Sequence, residues 1–582
     1  MAKEPTSWFA GFQRSERRRE KTMRHGSIRP IMRNGHYDVH AANAKTATTP
    51  LARELKGRHL QMIAFGGSIG EVPIYDPISE SKTDIKGTGL FVASGAGLYH
   101  AGPAGLLLAY IGVGALLYCT MQSLCELSVL FPVAGSFITF STRFLDPSWG
   151  FALSWVYFLQ WLMVLPLEII AAVLTISYWN EVVPNAVFVT IFLVLIIAIN
   201  MAGIRFYGET EFVFAIIKIV AIIGFILLGI VINIGGPPDG GFIGGKLWFQ
   251  PQPFNNGFKG FSSALTTALF SYGGTEMIGL AVAETRDPRK SFPKAIKQVF
   301  WRIAIFYLIT IMLVGLLVPS DNPSLIGGKS SVDASASAFV IAIESAGTTI
   351  LPSVMNGVIL IAVLSVGSSA VYGSSRALEA MAELSHAPQL FTYIDKRGRP
   401  LVSLFIAGCV GLLAYTIDVK VHDTIFQWLL SISAITTLFT WSSICFCHIR
   451  LRLAWTRAAR PLSRLPFLSS VGIVGSWCAL LGYILVIALH TWVSISPIEI
   501  PGTEINLSGK LQYFFLRMMA LPLVLVLFLL HKLRFRTNFI GVEEIDIDTG
   551  RRSYRFYPDK EEEEAEKRRN WPIWRRAYDL FC

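Results

Sequence analysis

Ionisable residues inside long apolar runs are the groups in this sequence best placed to do chemistry. They include Glu126, Glu168, Lys218 and Glu276. A charge at the centre of a bilayer costs at least about 2.5–3.5 kcal/mol, so such a residue marks an ion or proton pathway by default. Lys218 has no acidic residue three or four positions away. Because a buried Lys changes its protonation state far more readily than an Arg, Lys218 is predicted either to couple a proton or to tie helices together.

The acidic residues in these runs allow several roles. Glu276, which follows a Gly pair, is predicted to bind substrate through water, to order the local backbone or to shuttle the proton. Glu126 and Glu168 are predicted to be gate or helix-linking groups, and His448 is expected at the membrane interface. Near span ends, where long side chains snorkel or pair locally, lie Arg302, Arg376 and Glu379.

Two Gly clusters lie at mid-depth in apolar segments. The first is residues 66–70 (GGSIG), resumed by Thr88 and Gly89, and the second is residues 270–276 (FSYGGTE), five spans later. Irregular backbone survives in a bilayer only beside a cavity, and paired Gly-interrupted segments indicate the binding site of an inverted-repeat transporter. Half-helix N-termini hold an anion and half-helix carbonyls hold a cation, so a zwitterion such as an α-amino acid is the natural ligand. The alternative is that Gly only permits close helix packing.

The elements that must position these groups are transmembrane helices. Of 582 residues, 52% are hydrophobic and 16% charged, and runs of about 20 apolar residues span a bilayer. This pattern predicts an all-α polytopic membrane protein and excludes soluble proteins and outer-membrane barrels. Twelve spans are expected, at about 60–70 joined to 88–100, 104–130, 151–178, 184–202, 211–234, 261–284, 299–319, 351–382, 402–417, 425–448, 472–490 and 513–532.

Charge gives the orientation. One set of loops carries 15 Lys and Arg residues and the other carries 5, so the basic set is predicted to be cytoplasmic. Three regions follow: a basic, mostly disordered cytosolic tail (1–59), a transporter domain (60–532) and a cytosolic tail (533–582). The net charge of +11 therefore reflects membrane orientation, and no nucleic acid partner is expected.

Six motifs along the chain carry a family resemblance. They are residues 57–70 (GRHLQMIAFGGSIG), 159–168 (LQWLMVLPLE), 270–276 (FSYGGTE), 287–291 (DPRKS), 393–400 (YIDKRGRP) and 447–450 (CHIR). These motifs resemble those of the fungal amino acid permeases of the amino acid–polyamine–organocation superfamily. The resemblance runs from about residue 55 to the C-terminus and implies a five-plus-five inverted repeat (LeuT-type) with broken helices 1 and 6, plus two further helices.

The resemblance implies proton-coupled amino acid uptake at the plasma membrane, without a cofactor. It places Lys218 beside the opening helix, where sodium-coupled relatives bind sodium, and it places Tyr272 over the pocket. The tenth helix (438–448) is more similar to broad-range than to basic-specific permeases. The substrate-binding residues that it implies are Ser68, Ile69, Gly70, Thr88, Gly89, Phe270, Tyr272, Gly273 and Glu276.

Three other function classes compete with a transporter. A channel would show repeated polar rings along a pore, and an enzyme would show a reactive constellation; neither pattern is evident. An amino acid sensor or a non-transporting variant of the same fold is the strongest alternative. Sensors of this kind carry long cytosolic extensions, whereas the tails here are about 59 and 50 residues long.

The tails carry candidate modification sites. Cys582, which follows a basic, Trp-containing stretch, is a palmitoylation candidate or a plain free thiol. By family analogy, Lys3, Lys21 and Lys45 are candidate ubiquitin acceptors, with ubiquitin ligase or arrestin-type adaptors as partners beside membrane lipid.

Residues 71–87 interrupt the first span. The flanking pieces are too short to cross a membrane alone, and when joined they restore the family motif. The segment carries six charges and two Pro at mid-membrane depth, which would cost more than a domain's whole stability of about 5–15 kcal/mol. It is therefore predicted to be a translated, unspliced intron that the working protein lacks. The rival is a genuine insertion in a sensor-like variant.

Overall fold

Helices make up nearly all of the described chain. A computed structural model describes residues 31–33, 36–47, 51, 53–68, 89–179, 182–236, 241–322, 325, 337–344, 347, 350–418, 433–498, 507–551 and 572. Within these ranges the strands are β1 (Met32–Arg33) and β2 (His36–Tyr37), which pair antiparallel. The predicted all-α polytopic class is confirmed.

Eighteen α-helices are described. In chain order they are α1 (Val39–Thr46), α2 (Gly57–Ser68), α3 (Gly89–Leu130), α4 (Phe137–Phe144), α5 (Pro147–Ile176), α6 (Asn185–Met201), α7 (Ile204–Asn233), α8 (Lys246–Phe249), α9 (Gly257–Tyr272), α10 (Met277–Leu280), α11 (Pro288–Leu317), α12 (Ala338–Glu344), α13 (Leu351–Glu383), α14 (Leu401–Gly411), α15 (Ser433–Arg457), α16 (Gly472–Ile495), α17 (Leu507–Met518) and α18 (Ala520–Phe535). Short 3-10 turns follow α10 (Ala281–Glu284), α13 (Gln389–Thr392) and α14 (Leu412–Asp418), and another is Leu462–Arg464.

Six described helices are long and apolar enough to cross a membrane, and the pair α17 and α18, bent by 57°, is either a seventh, broken span or a re-entrant loop. The helices Asn185–Met201 and Leu401–Ile417 are apolar but shorter. Where the predicted spans fall on described residues, they coincide with helices or 3-10 turns apart from their edges and the breaks between helices. Residues 69–70, 88 and 425–432 of the predicted spans lie outside the described residues. The count of twelve spans stays a prediction.

Gly102 separates the first two predicted spans inside α3. Its φ of 74° lies in the left-handed region, and Pro103 follows it. A Cβ at Gly102 would come within 2.5 Å of the Pro253 carbonyl oxygen, so only Gly fits. The predicted boundary between residues 100 and 104 therefore coincides with a sharp backbone turn.

Several helices begin earlier than predicted, among them α5 and α7. Asp146 caps α5, since its carboxylate accepts a hydrogen bond from the Ser148 backbone N–H, and Pro147 suits the first helical position. Helix α7 begins at Ile204 instead of residue 211. Lys218 consequently lies about four turns inside its helix instead of the expected two.

Polar side chains are concentrated between the helices, because the outside of a membrane bundle faces lipid. Large apolar side chains of α7, α16 and α18 are exposed, among them Val220, Leu481 and Leu530. Helices α5 and α13 pack along their lengths, as do α3 and α9. The ionisable groups predicted to be functional lie on these inner faces.

Parts of both tails pack on the loops with the larger Lys and Arg count, which are called the basic side below. Asn43 of α1 donates a hydrogen bond to Asp546, and Lys45 pairs with Glu383 at 3.8 Å. Arg143 of α4 forms an ion pair with Asp546 at 3.4 Å. Residues 36–47 and 540–551 are therefore held against the helical domain by burial and ionic contacts, whereas the charged runs of the C-terminal tail at 561–564 and 568–576 lie outside the described residues.

Candidate functional site

The second predicted helix break is present. Helix α9 ends at Tyr272, and α10 begins at Met277 after a four-residue turn. Gly274 has a φ of 80°, a conformation that L side chains rarely adopt, which explains the Gly here. The first break lies outside the described residues: Ile69, Gly70 and Thr88 are not described, nor are the side chain of Ser68 and the surroundings of Gly89.

Carbonyls at the end of α9 each already accept one hydrogen bond. The donors are the Gly273 N–H to Phe270 at 3.0 Å, the Tyr307 hydroxyl to Ser271 at 2.7 Å and the Thr275 hydroxyl to Tyr272 at 3.1 Å. A carbonyl oxygen has two lone pairs. Each of these oxygens can therefore accept one further donor, such as an ammonium group.

Glu276 links the broken helix to two others. Its carboxylate accepts hydrogen bonds from the Tyr157 hydroxyl of α5 at 3.3 Å and from the Trp441 indole N–H of α15 at 3.1 Å. The side chain is buried. Because one carboxylate joins three elements at the turn, these contacts hold the broken segment in place.

Phe270 and Tyr272 point toward different helices. Phe270 packs with Val156 of α5 and Ile435 of α15. The Tyr272 ring lies between Tyr110 and Tyr307, with centroids 5.7 and 5.1 Å away, and its hydroxyl donates to the Tyr110 carbonyl. Tyr272 therefore lies in the packing of α3 and α11, on a different side of α9 from Phe270. Its position over the pocket stays a prediction.

Lys218 is fully buried and belongs to a hydrogen-bonded relay. Its ammonium donates to the Ser365 hydroxyl of α13 at 2.9 Å, and that hydroxyl donates to the Glu211 carboxylate at 2.7 Å. Lys218 thus has an acidic partner seven positions earlier, through a Ser bridge. The sequence search at three and four positions missed it. Helix α2 packs on α7, with His59 against Gly208, so α7 adjoins the opening helix as expected.

Glu168 approaches the same region from α5. Its Cβ lies 3.6 Å from where a Cβ on Gly367 would be, two residues after Ser365. Its carboxylate is buried and interacts electrostatically with Lys218. The structure therefore brings Lys218 and Glu168 together at α13, whereas Glu276 lies at the break.

Glu126 anchors a separate buried cluster toward the basic side. Its carboxylate pairs with Arg452 at 2.6 and 2.7 Å and with His448 at 3.1 Å, and it accepts the Ser469 backbone N–H at 2.8 Å. These contacts join α3 to α15 and to the segment before α16. His448, which was expected at the membrane interface, is fully buried. Its other ring nitrogen forms a hydrogen bond with the Ser476 hydroxyl at 2.7 Å.

Arg376 is paired inside the protein. It forms an ion pair with Glu284 at 3.2 Å, and the Tyr372 hydroxyl donates to the same carboxylate at 2.8 Å. Of the two expected options, snorkelling and local pairing, local pairing is observed. The sequence analysis did not single out Glu284, although it stands at the end of an apolar run.

The comparisons decide the family. The amino acid permease family model matches residues 78–542. This chain belongs to the amino acid permease family. A general amino-acid permease of Candida albicans is 49% identical over 92% of this chain and 88% of its own length. A general amino-acid permease of Saccharomyces cerevisiae is 44% identical over 92% of this chain and 87% of its own length.

Among solved structures, a manganese transporter of Eremococcus coleocola aligns with a TM-score of 0.49 at 13% identity, over 88% of this chain and 98% of its own. The permease family is one of membrane transporters. The family model and the two relatives confirm the resemblance drawn from the sequence motifs, and amino acid transport across a membrane is the function of the family.

Proposed function

We propose that this permease takes up amino acids with protons across the plasma membrane by alternating access, that its specificity is broad, and that it is not an enzyme. The observation that carries the proton coupling is Lys218. A fully buried ammonium on α7, a helix that packs against the opening helix α2, donates a hydrogen bond to Ser365 and supplies a fixed positive charge. Such a charge takes the place of a bound metal cation, and a Lys can release and regain its proton during a cycle.

The substrate site in this proposal lies between the two helix breaks of a twelve-span, five-plus-five repeat. The carboxylate binds at Thr88 and Gly89. The amino group meets carbonyls near Ser68, Ile69, Gly70, Phe270 and Gly273, and the second acceptor positions on the α9 carbonyls support this assignment. Tyr272 positions the break from the α3 side, and Glu276 fixes it from α5 and α15.

Broad specificity is proposed because the relatives cited above are general permeases. The proposed orientation puts both termini in the cytosol, where adaptors and a ubiquitin ligase reach them. Among the candidate acceptor lysines, Lys45 is described and its ammonium faces Glu383. Modification of Lys45 would therefore require that contact to open.

The test is uptake of labelled amino acids into permease-deficient cells, using the full chain and a form lacking residues 71–87. Uptake should rise as external pH falls, collapse with a protonophore and persist without sodium. Loss of uptake in sodium-free medium would refute the role given to Lys218. Competition by a panel of unlabelled amino acids measures the breadth of specificity.

A sensor is the second candidate, and residues 71–87 favour it if they are genuine. Six charges in the first span would separate the two halves of the carboxylate site. A sensor would bind amino acids and signal without accumulating them. Binding without accumulation by the full chain, together with a transcript that retains these codons, would support this alternative.

A further inference from the structure

Two buried polar stripes face each other along α7 and α13. Residues four or seven apart share one face of a helix. The stripe of α7 comprises Tyr207, Glu211 and Lys218, and the stripe of α13 comprises Ser365, Ser369, Tyr372 and Arg376. The two helices pack against each other. The stripes therefore form one polar seam that runs from mid-helix toward the basic side.

The inner half of the seam is a chain of hydrogen bonds with a defined order of donors and acceptors. An ammonium can only donate and a carboxylate can only accept, so the hydroxyl between them must accept from Lys218 and donate to Glu211. The distances, 2.9 and 2.7 Å, are those of good hydrogen bonds. Ser369 continues the seam, since its hydroxyl interacts with Glu211 and lies 3.1 Å from the Tyr207 hydroxyl.

The outer half connects Tyr207 to the basic side. The rings of Tyr207 and Tyr372 stack at 4.7 Å with an angle of 11°. The Tyr372 hydroxyl donates to Glu284, which also pairs with Arg376. Glu284 is followed by Thr285, which bridges to Leu55 just before α2. The seam therefore ends at the loop where α2 begins.

Other charged groups border the seam. Glu168 of α5 acts on Lys218 from the side. Arg58 and His59 of α2 pair with Glu209, on the outer part of α7. Among the described side chains, Glu211 is the carboxylate that the Ser365 hydroxyl joins to Lys218.

We propose that Glu211 receives the proton that Lys218 releases and passes it toward the basic side, which makes Glu211 the inner proton site of this transporter. In this step an N–H bond of Lys218 breaks and an O–H bond of Ser365 forms. At the same time, the original O–H bond of Ser365 breaks and one forms on Glu211. The pair changes from ammonium and carboxylate to amine and carboxylic acid with no net change of charge. This inference rests on the proposed proton coupling.

The test separates net accumulation from exchange. Glu211→Gln imitates a permanently protonated Glu211 and blocks proton release. Accumulation requires the empty carrier to lose its proton inside, whereas exchange of internal for external amino acid does not. A one-unit pH gradient drives about tenfold accumulation per proton. Glu211→Gln should lose this accumulation and its pH dependence while it retains exchange at normal surface level.

The matched control is Glu209→Gln, which removes a half-exposed carboxylate two residues away on the same helix. It should accumulate substrate like the parent form. Glu211→Asp, which keeps a titratable carboxyl, should restore part of the accumulation. Ser365→Ala, which removes the bridging hydroxyl, should lower accumulation more than exchange.

The results distinguish a failure of the proposed function from a failure of the role proposed for Glu211. All variants are made in whichever form transports, the full chain or the form lacking residues 71–87. If neither form transports, or if the parent is insensitive to a protonophore, the proposed function fails. Suppose that uptake by the parent is proton-driven. The role of Glu211 is then overturned if Glu211→Gln accumulates amino acid normally. It is also overturned if this variant, at normal surface level, loses accumulation and exchange equally. Should Glu211→Gln not reach the surface, Ser365→Ala decides by the same comparison.

Discussion

Removing the charge of either Glu126 or Arg452 alone should destabilise the protein far more than removing both charges together. Arg452 and Glu126 are buried and form two short contacts. His448 and the Ser469 backbone N–H make the remaining contacts with the Glu126 carboxylate. Removing one partner of a buried ion pair costs about 3–5 kcal/mol, because the other charge is left uncompensated. Glu126→Gln and Arg452→Met should each lower the free energy of unfolding by about that amount.

The double variant tests the reasoning. Independent effects would add to about 6–10 kcal/mol. With both charges absent, the Ser469 N–H and the His448 ring are left imperfectly paired. This imperfect pairing costs about 1–3 kcal/mol. The double variant should therefore be more stable than either single variant.

The assay is reversible unfolding in mixed micelles, with surface level in cells as a second measure. The matched control is the Arg457–Glu543 pair, which joins the same helix α15 to the C-terminal segment at 2.9 Å but is exposed. Breaking that pair should cost less than about 1 kcal/mol. A double variant of the buried pair that is as unstable as the sum of its single variants would refute the electrostatic explanation.

Four further predictions follow from the geometry. Glu276→Leu removes both acceptor oxygens, so the Tyr157 hydroxyl and the Trp441 indole N–H each lose this acceptor at about 1–3 kcal/mol. The saturated uptake rate should fall at unchanged surface level, and a normal rate would argue against the ordering role of Glu276. Transcripts should lack the codons for residues 71–87, and the form without them should transport while the full chain does not. Burial raises the pKa of Asp546, but the Thr549 backbone N–H and the Arg143 guanidinium together lower this pKa to about 2. Asp546→Asn should lower the free energy of unfolding by about 1–2 kcal/mol at neutral pH, a modest cost because partial solvent contact screens the ion pair. The difference in stability from the parent should disappear as pH falls from about 4 through 2. Cys582→Ser should lose label from a palmitate probe, and equal labelling of both forms would exclude lipidation at this residue.

The N-terminal and C-terminal segments show a limit of composition as a guide to structure. Residues 36–47 and 540–551 are polar enough to be expected in solvent. They pack because specific partners lie on the loops: Tyr37 donates to the Leu384 carbonyl, and Arg143 binds both the side chain and the backbone of Asp546. Such pairing cannot be deduced from polarity, since the partners are hundreds of residues apart.

The sequence by itself determined the all-helical membrane class, the family and the second helix break. Apolar run length and Gly clusters are local properties, and the bilayer allows few backbone structures that satisfy them. The motif FSYGGTE at residues 270–276 accordingly coincides with the observed turn between α9 and α10.

Only the tertiary structure decided which buried charges meet. Glu126 pairs with Arg452, which lies 326 positions later in the chain. Lys218 is joined to Glu211 through Ser365, which lies 147 positions after Lys218 on another helix. Helical periodicity gives the face on which a side chain lies but not the helix that covers this face. Rotation and crossing of packed helices set the partners, and for that reason Tyr272 lies with Tyr110 and Tyr307 while Glu276, four residues later, binds Tyr157 and Trp441.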